Sequence, residues 1–465
     1  MNNYSHPVDS VICATALCFC LLLIGVALYR SPCRDVHDRY KLQHDAACSL
    51  HEYMVKDLGD LWHGALSTTD EVTGLPMLVS ILDNDFYKFT MQNAVVKLFP
   101  NAWTRYQFIN RGKHRFPPGF ADRLRHAVAG MVRLALTSDE RRFLEQTCPY
   151  LDPSYHDFLQ GFRYDPSEVK IEQNGEDLEV VIEGLWYRTI LWEVPIMALI
   201  SELWFQMEGQ DRDSDEVSLA RTHQKIQHYH KMGIKVADFG TRRRYSYDFH
   251  DKVVSTLTEY GQETFTGTSN VYLAYRHGIK PLGTHAHEWF MFHGAKYGFK
   301  MANSMAMNNW VQVYRGDLGI ALTDTFTTDI FFNNFDKMLA KLFDGLRHDS
   351  GDPIVFAQKA IEHYKKMGID PRNKTIVFSD ALDPDKVDRI VEFCHDKIGM
   401  SFGIGTNFTN DVGLKSMNMV VKMMDTRPDL NDDWLPVVKL SDIREKNTGA
   451  PEMIRLAREV LSLPN

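Results

Sequence analysis

Cysteine is nearly absent from most of this 465-residue chain. Cys13, Cys18, Cys20, Cys33 and Cys48 crowd into the first 50 residues, and only Cys148 and Cys394 lie beyond. No pair has CxxC spacing, which argues against a disulfide framework or a thiolate zinc site and fits a reducing compartment. A basic surplus is missing as well. The net charge of −9 and pI near 6.1 speak against nucleic acid as a partner, although a few local arginines suffice for a small anionic substrate. Internal repeats and low-complexity tracts are absent. What remains, 44% hydrophobic and 24% charged residues, is an ordinary globular balance in a chain long enough for one large α/β core with an accessory layer.

Before Arg30 there is no Lys or Arg, so the n-region of a signal peptide is lacking. In its place residues 11–28 carry no charge and are just long enough to cross a bilayer as a helix. Arg30, Arg34, Arg39 and Lys41 follow, which by the positive-inside rule leaves the rest of the chain in the cytoplasm. Three readings stand: a membrane anchor, a cleaved targeting segment, and an upstream extension that is rarely translated. Met54 or Met77 could start a chain that keeps every residue discussed below. The segment concerns address, not activity.

Residues 30–75 are polar and read as a linker with a short helix over 51–66. From Leu78 onward the pattern is that of continuous folded structure. Helices are expected over 85–99, twice across 121–146, and over 193–208 and 215–232; 103–110 alternates like a strand. The stretch 169–191 carries two β-rich runs, 178–182 and 185–191, with Gly184 between, and predicts a β-hairpin or sheet there. From Lys235 short β runs alternate with helical stretches. The runs end near Asp238, Thr266, Thr284, Asp324, Leu346, Ser379 and Gly405, at spacings of roughly 17 to 40 residues, as in a β/α barrel or open parallel sheet. A last helix is expected over 451–463. The division predicted is an extension (1–75), an N-terminal α/β domain (76–234), a catalytic β/α domain (235–440) and a helical tail (441–465).

Functional groups in parallel α/β folds gather at the C-terminal ends of strands, and the ends here are polar. They include Asp238-Phe239-Gly240-Thr241-Arg242-Arg243-Arg244, Gly267-Thr268-Ser269-Asn270, Gly283-Thr284-His285-Ala286-His287-Glu288, Thr323-Asp324-Thr325, Arg347-His348-Asp349-Ser350-Gly351-Asp352, Ser379-Asp380 and Gly405-Thr406-Asn407. A Gly-Thr turn lets backbone amides and a hydroxyl approach phosphate, though a lone one is more often structural. Three at strand ends point to a phosphorylated substrate. The arginine run 242–244 reads either as a solvated helix start or as anion-facing. In 347–352 the acids could hold Mg²⁺ or sugar hydroxyls, or Arg347 and Asp349 could be a structural ion pair. His285 and His287 admit metal ligation, base catalysis or phosphoryl transfer. With His348, Asp349 and Asp380 they would make a hydrolase zinc site.

Taken together, these motifs, with Asp83-Asn84-Asp85-Phe86-Tyr87-Lys88, Gly345-Leu346 ahead of Arg347 and Phe402-Gly403-Ile404 ahead of Gly405, closely resemble the nicotinate phosphoribosyltransferase family over residues 78–465. The resemblance implies an irregular β/α barrel of the type II phosphoribosyltransferase kind with an N-terminal α/β layer, to which residues 11–28 would add a hydrophobic helix. It implies a dimer that joins nicotinate to phosphoribosyl pyrophosphate with ATP hydrolysis, and so ATP and Mg²⁺ as cofactors. It maps autophosphorylation onto His287, nicotinate contacts onto Tyr87, Thr284 and Arg347, and phosphoribosyl contacts onto Thr406 and Gly405. Arg242, Asp349 and Ser350 are added as further site residues, Arg242 and Asp349 in catalysis and Ser350 toward the phosphoribosyl group. An aromatic face and a guanidinium suit a flat ring bearing a carboxylate. Ser269 stands where the related nicotinamide family carries Asp, which fits an anionic base. His285 becomes scaffold, and the zinc reading recedes.

Overall fold

The computed structural model describes residues 68–69 and 76–464, all within the compact unit Leu66–Asn465. The helices expected over 11–28 and 51–66 lie outside the described residues.

Helix α1, Phe86–Leu98, is buried on every side from Phe86 to Val95. Its polar residues must therefore find partners inside. Gln92 donates to the Tyr187 carbonyl at 2.7 Å and Asn93 to the Tyr314 hydroxyl at 3.1 Å. Strand β1, Trp103–Ile109, alternates buried and half-buried side chains, as a strand with one covered face does. Strands β2, Val169–Asn174, and β3, Asp177–Leu185, make a hairpin. The hairpin or sheet expected in the stretch 169–191 is thus present, with its turn away from Gly184. The two-residue turn is Gly175-Glu176, between the paired Asn174 and Asp177, with Gly175 at a φ of 62°. Gly184 instead pairs with Thr104 inside the sheet, and 186–189 coil into a helical turn. Helix α2, Glu193–Glu208, ends at left-handed Gly209. The span Trp186–Glu208 is apolar enough to cross a membrane, but 89% of its most apolar 18-residue window is buried in the fold, which makes it a core element.

The parallel strands follow: β4 (Val236–Asp238), β5 (Phe265–Thr268) after helix α3 (Tyr247–Gly261), β6 (Ile320–Leu322) after helix α4 (His287–Tyr297), β7 (Gly345–His348), β8 (Thr375–Phe378) and β9 (Gly399–Ile404). They form one parallel sheet in the order β5-β4-β9-β8-β7-β6. Of the seven expected strands, the one ending at Thr284 is missing. Its ladder toward β5 is reduced to a single bridge between Thr268 and Pro281, and on its other side Pro281 has no N–H to offer β6. Residues 281–285 still join the two outer strands. On one side the Leu282 amide donates to the Thr268 carbonyl at 2.8 Å. On the other, Thr284 Oγ1 donates to the Ile320 carbonyl at 2.9 Å and the Leu322 amide donates to His285 Nε2 at 3.1 Å. Side chains here replace ladder amides.

Strands β10, Val420–Arg427, and β11, Leu435–Pro436, return to the first sheet and complete the order β11-β10-β1-β3-β2. The expected boundary at 234/235 therefore cuts through a sheet whose central strand, β1, has a partner from the far end of the chain. The closing helix is Pro451–Val460, shorter than expected. The two layers are bolted together by a buried bidentate pair. Arg244 donates to both oxygens of Asp83, at 2.7 and 2.9 Å, and to the Met77 carbonyl at 2.7 Å.

Candidate active site

His287 is the first residue of α4 and only partly exposed. Its Nδ1 lies 3.1 Å from Thr325 Oγ1. Its Nε2 lies 2.9 Å from Lys439 Nζ, 3.0 Å from Asp349 Oδ2 and 3.6 Å from Asp324 Oδ1. An ammonium only donates, so the Lys439 contact requires a lone pair on Nε2 and a proton on Nδ1; the Asp349 contact requires the reverse. The hydroxyl of Thr325 serves either tautomer. Burial and Lys439 push the ring's pKa below its ordinary value, against Asp324 and Asp349. The neutral, nucleophilic ring is thereby favoured.

Burial alone would raise the pKa of both acids, yet both are lowered: Asp324 by Lys439 and His287, and Asp349, well below the carboxylate range, by Arg347, His287 and Lys439. Asp324 Oδ2 accepts from Ser350 Oγ at 2.5 Å and sits 3.5 Å from Lys439. Its Oδ1 is buried with no hydrogen-bond partner. Ligand atoms of His287, Asp324 and Asp349 all lie within 4.8 Å of one another. An orphaned carboxylate oxygen beside a second carboxylate suits a hard divalent cation with oxygen ligands, Mg²⁺ in particular.

A second group surrounds Tyr87 at the start of α1. The ring is buried and its hydroxyl is without a partner; the guanidinium of Arg242 is 6.0 Å from the ring centroid. Ser269, at the end of β5, donates to Asp85 at 2.7 Å. Gly283 can approach Tyr87 closely only because it has no side chain: its φ is 155°, and a Cβ would lie 2.9 Å from the Tyr87 amide nitrogen. Arg347, at the end of β7, donates to Ser379 Oγ at 3.0 Å and to the His285 carbonyl and Asp349 at 3.4 Å. It therefore touches both the Gly-Thr-His segment and the acid cluster. The hydroxyl of Thr284 is turned onto Ile320, where it closes the sheet gap.

Gly405 and Thr406 follow β9 at the start of the short helix Thr406–Thr409, on the same sheet end. His285 is scaffold. Burial, with Arg347 and His287 nearby, lowers its pKa to about 3, and its ring packs edge-on against Phe290 and Trp310. His348 packs between Phe356 and Phe378, and Asp380 pairs with Lys446 at 2.6 Å. The five-residue zinc constellation is not assembled.

More cations crowd the same corner than the sequence motifs indicate, Lys439 among them. Lys446 also reaches the Asp349 carbonyl at 3.3 Å. Lys422, on β10, has its pKa pushed down to about 7 by burial and then by Arg111, Lys439 and Lys446. Arg243 is pushed down to about 10 by burial and then by Arg242 and Arg111. No local motif marks Lys439, Lys446, Lys422 or Arg111, whereas Arg243 lies in the run 242–244, for which an anion-facing role is one expectation. Arg111 follows β1 and Lys422 lies on β10, so only the pairing of those strands brings them together. Cations that depress one another's protonation form a site awaiting several negative charges.

A polarised histidine, two acids and crowded cations at the C-terminal end of a parallel sheet, beside an aromatic pocket, define an enzyme of phosphorylated substrates. Comparison with known proteins makes this particular. The model of the nicotinate phosphoribosyltransferase (NAPRTase) family matches residues 234–465, and that of the nicotinate phosphoribosyltransferase (NAPRTase) N-terminal domain matches residues 82–201. Nicotinate phosphoribosyltransferase of Chromohalobacter salexigens is 66% identical over 387 residues, 83% of this chain and 99% of that one. That of Methanosarcina acetivorans is 45% identical over 83% of this chain and 98% of the relative. The crystal structure of nicotinate phosphoribosyltransferase from Porphyromonas gingivalis superimposes with a TM-score of 0.81 at 46% identity, covering 83% of this chain and 99% of that one. The chain belongs to the nicotinate phosphoribosyltransferase family.

Proposed function

We propose that this enzyme condenses nicotinate with phosphoribosyl pyrophosphate to nicotinate mononucleotide and pyrophosphate, coupled to ATP hydrolysis, in the synthesis of NAD. The observation that carries this reading is the position of His287 Nε2, between an ammonium and two carboxylates, in a chain so closely related to nicotinate phosphoribosyltransferases.

In the tautomer with its proton on Nδ1, the Nε2 lone pair attacks the terminal phosphorus of ATP. A P–N bond forms, the P–O bond to ADP breaks, and ADP leaves with the electron pair. Lys439 is placed to neutralise the new phosphoryl charge, and the N-terminus of α4 favours it further. Water later takes the phosphoryl group, and the ring recovers its lone pair. In the condensation the pyridine nitrogen attacks C1 of the ribose while pyrophosphate departs. Tyr87 provides a face for the base, Arg347 and Arg242 supply cations for anionic groups, and Gly405, Thr406 and Ser350 stand toward the phosphoribosyl end. Asp324 and Asp349 would hold Mg²⁺, which when bound would neutralise the pyrophosphate.

The test compares nicotinate with nicotinamide, each with phosphoribosyl pyrophosphate, with and without ATP. Nicotinate-dependent pyrophosphate release, stimulated by ATP, is expected. His287→Ala should abolish the stimulation and any acid-labile phosphoryl label on the protein. Equal use of nicotinamide sinks the specificity, and unchanged stimulation in the variant sinks the phosphohistidine. The proposal includes a homodimer, read by sedentation-equilibrium mass in solution. It also includes a tether through residues 11–28, which puts the full chain in the membrane fraction and a chain starting at Met77 in the supernatant.

A further inference from the structure

Behind Tyr87 lies a buried ionic group that neither grips the proposed ligands nor is explained by packing. Lys88, fully buried on α1, has its Nζ 2.5 Å from Glu193 Oε2 and 2.9 Å from Glu288 Oε1. The ammonium also lies 5.5 Å from the Tyr87 ring centroid and 5.7 Å from that of Tyr106. Buried ion groups of this kind contribute little net stability compared with apolar residues of the same volume. Their neighbour is Arg242. Its guanidinium has two acids within reach, and both stand off: Glu193 Oε1 at 3.5 Å and Asp85 Oδ2 at 3.8 Å. A close guanidinium–carboxylate pair lies at about 2.7–2.9 Å and is usually bidentate. Each acid is tied elsewhere by its other oxygen, Asp85 to Ser269 at 2.7 Å and Glu193 to Lys88.

We propose that Lys88 is a positioning residue that holds Glu193 off Arg242 and so keeps the guanidinium available to an anionic group of the substrate. This rests on the site reading given above. A carboxylate free to choose closes on a neighbouring guanidinium and occupies the donors that a ligand would use. Lys88 removes that choice, and Glu288, on α4, is a second carboxylate that anchors the same ammonium, at 2.9 Å. The anion received can be a ring carboxylate or a phosphoryl group, since the same donors serve both.

The experiment measures KM for nicotinate, KM for phosphoribosyl pyrophosphate and kcat in Lys88→Met and in Lys88→Met/Glu193→Gln. In Lys88→Met at least one KM should rise about tenfold or more, with a smaller change in kcat, because Glu193 then closes on Arg242. In the double variant, where Glu193 no longer carries charge, the affected KM should return to within about threefold of the unmodified enzyme. Which KM responds identifies the anion that Arg242 receives. Both KM values within about twofold of the unmodified enzyme in a folded Lys88→Met, or no recovery in the double variant, overturns the proposal. If Lys88→Met does not fold, Glu193→Gln alone decides: the KM values should stay level or fall, and a rise overturns it. Absence of nicotinate-dependent pyrophosphate release in the unmodified enzyme would instead overturn the function proposed above, and is read before any variant is made.

Discussion

At the scale of single residues, the chemistry is set by how charges are held against one another. Lys422 sits among Arg111, Lys439 and Lys446 with its pKa near 7, so just above neutrality a large fraction of it is uncharged. A polyphosphate ligand favours the charged form, so binding should draw a proton from solvent between about pH 7 and 9. Calorimetric titration of pyrophosphate in buffers of different ionisation enthalpy should show this uptake, and Lys422→Met should remove it. Uptake unchanged in the variant assigns the proton elsewhere. Ser269 offers a second case. Its hydroxyl donates to Asp85 at 2.7 Å, so Ser269→Asp sets two carboxylates against each other beside an anionic base. The ratio of kcat/KM for nicotinate to that for nicotinamide should fall by about tenfold or more; an unmoved ratio removes Ser269 from specificity. Local motifs marked Arg347, Asp349 and His287, each in a run of polar residues near a strand end, whereas Tyr87, at the start of α1, stood out only through the family resemblance. Lys439 and Lys422 were not legible, because nothing adjacent to them in sequence announces their shared environment.

Among the elements, helices were the easier to read. The helix at Glu193–Glu208 falls where its apolar pattern and Gly209 place it, and β1 follows from simple alternation. The pattern left the turn open where two glycines stood in one β-rich stretch, Gly175 and Gly184, and it misled where a short β run contained proline, as at Pro281. In the second case the structure uses side chains of Thr284 and His285 to span the gap between outer strands, which no periodicity encodes. The join depends on Gly267 in β5. Its φ is 143°, and a Cβ would lie 2.2 Å from the Lys280 carbonyl oxygen. Gly267→Ala should therefore destabilise the enzyme by about 1–3 kcal/mol and lower its melting temperature by several degrees. It should also reduce kcat/KM, since the displaced segment leads into Thr284 and His287. A melting curve and turnover both equal to those of the unmodified enzyme would show that this junction tolerates movement.

For the whole molecule, the pairing of β1 with β10 rules out treating the two family-matched regions as separable modules. A chain of residues 66–465 should fold, be soluble and retain the activity of the full chain, whereas residues 235–465 alone should be insoluble or lack a cooperative thermal transition. A cooperative transition in the shorter piece would show that β10 is dispensable to it. The same pairing has a consequence in time. Thr426 on β10 donates to the carbonyl of Trp103 on β1, 323 residues earlier in the chain. At bacterial or slower translation rates of about 5–20 residues per second, those residues take roughly 15 to 65 seconds to synthesise. Through that interval β1 has left the ribosome while its partner strand does not yet exist, and one row of its amides and carbonyls is open to any extended segment nearby. Correct assembly of this enzyme is thus decided by whatever shields a single strand on the nascent chain until the last tenth of the message has been read.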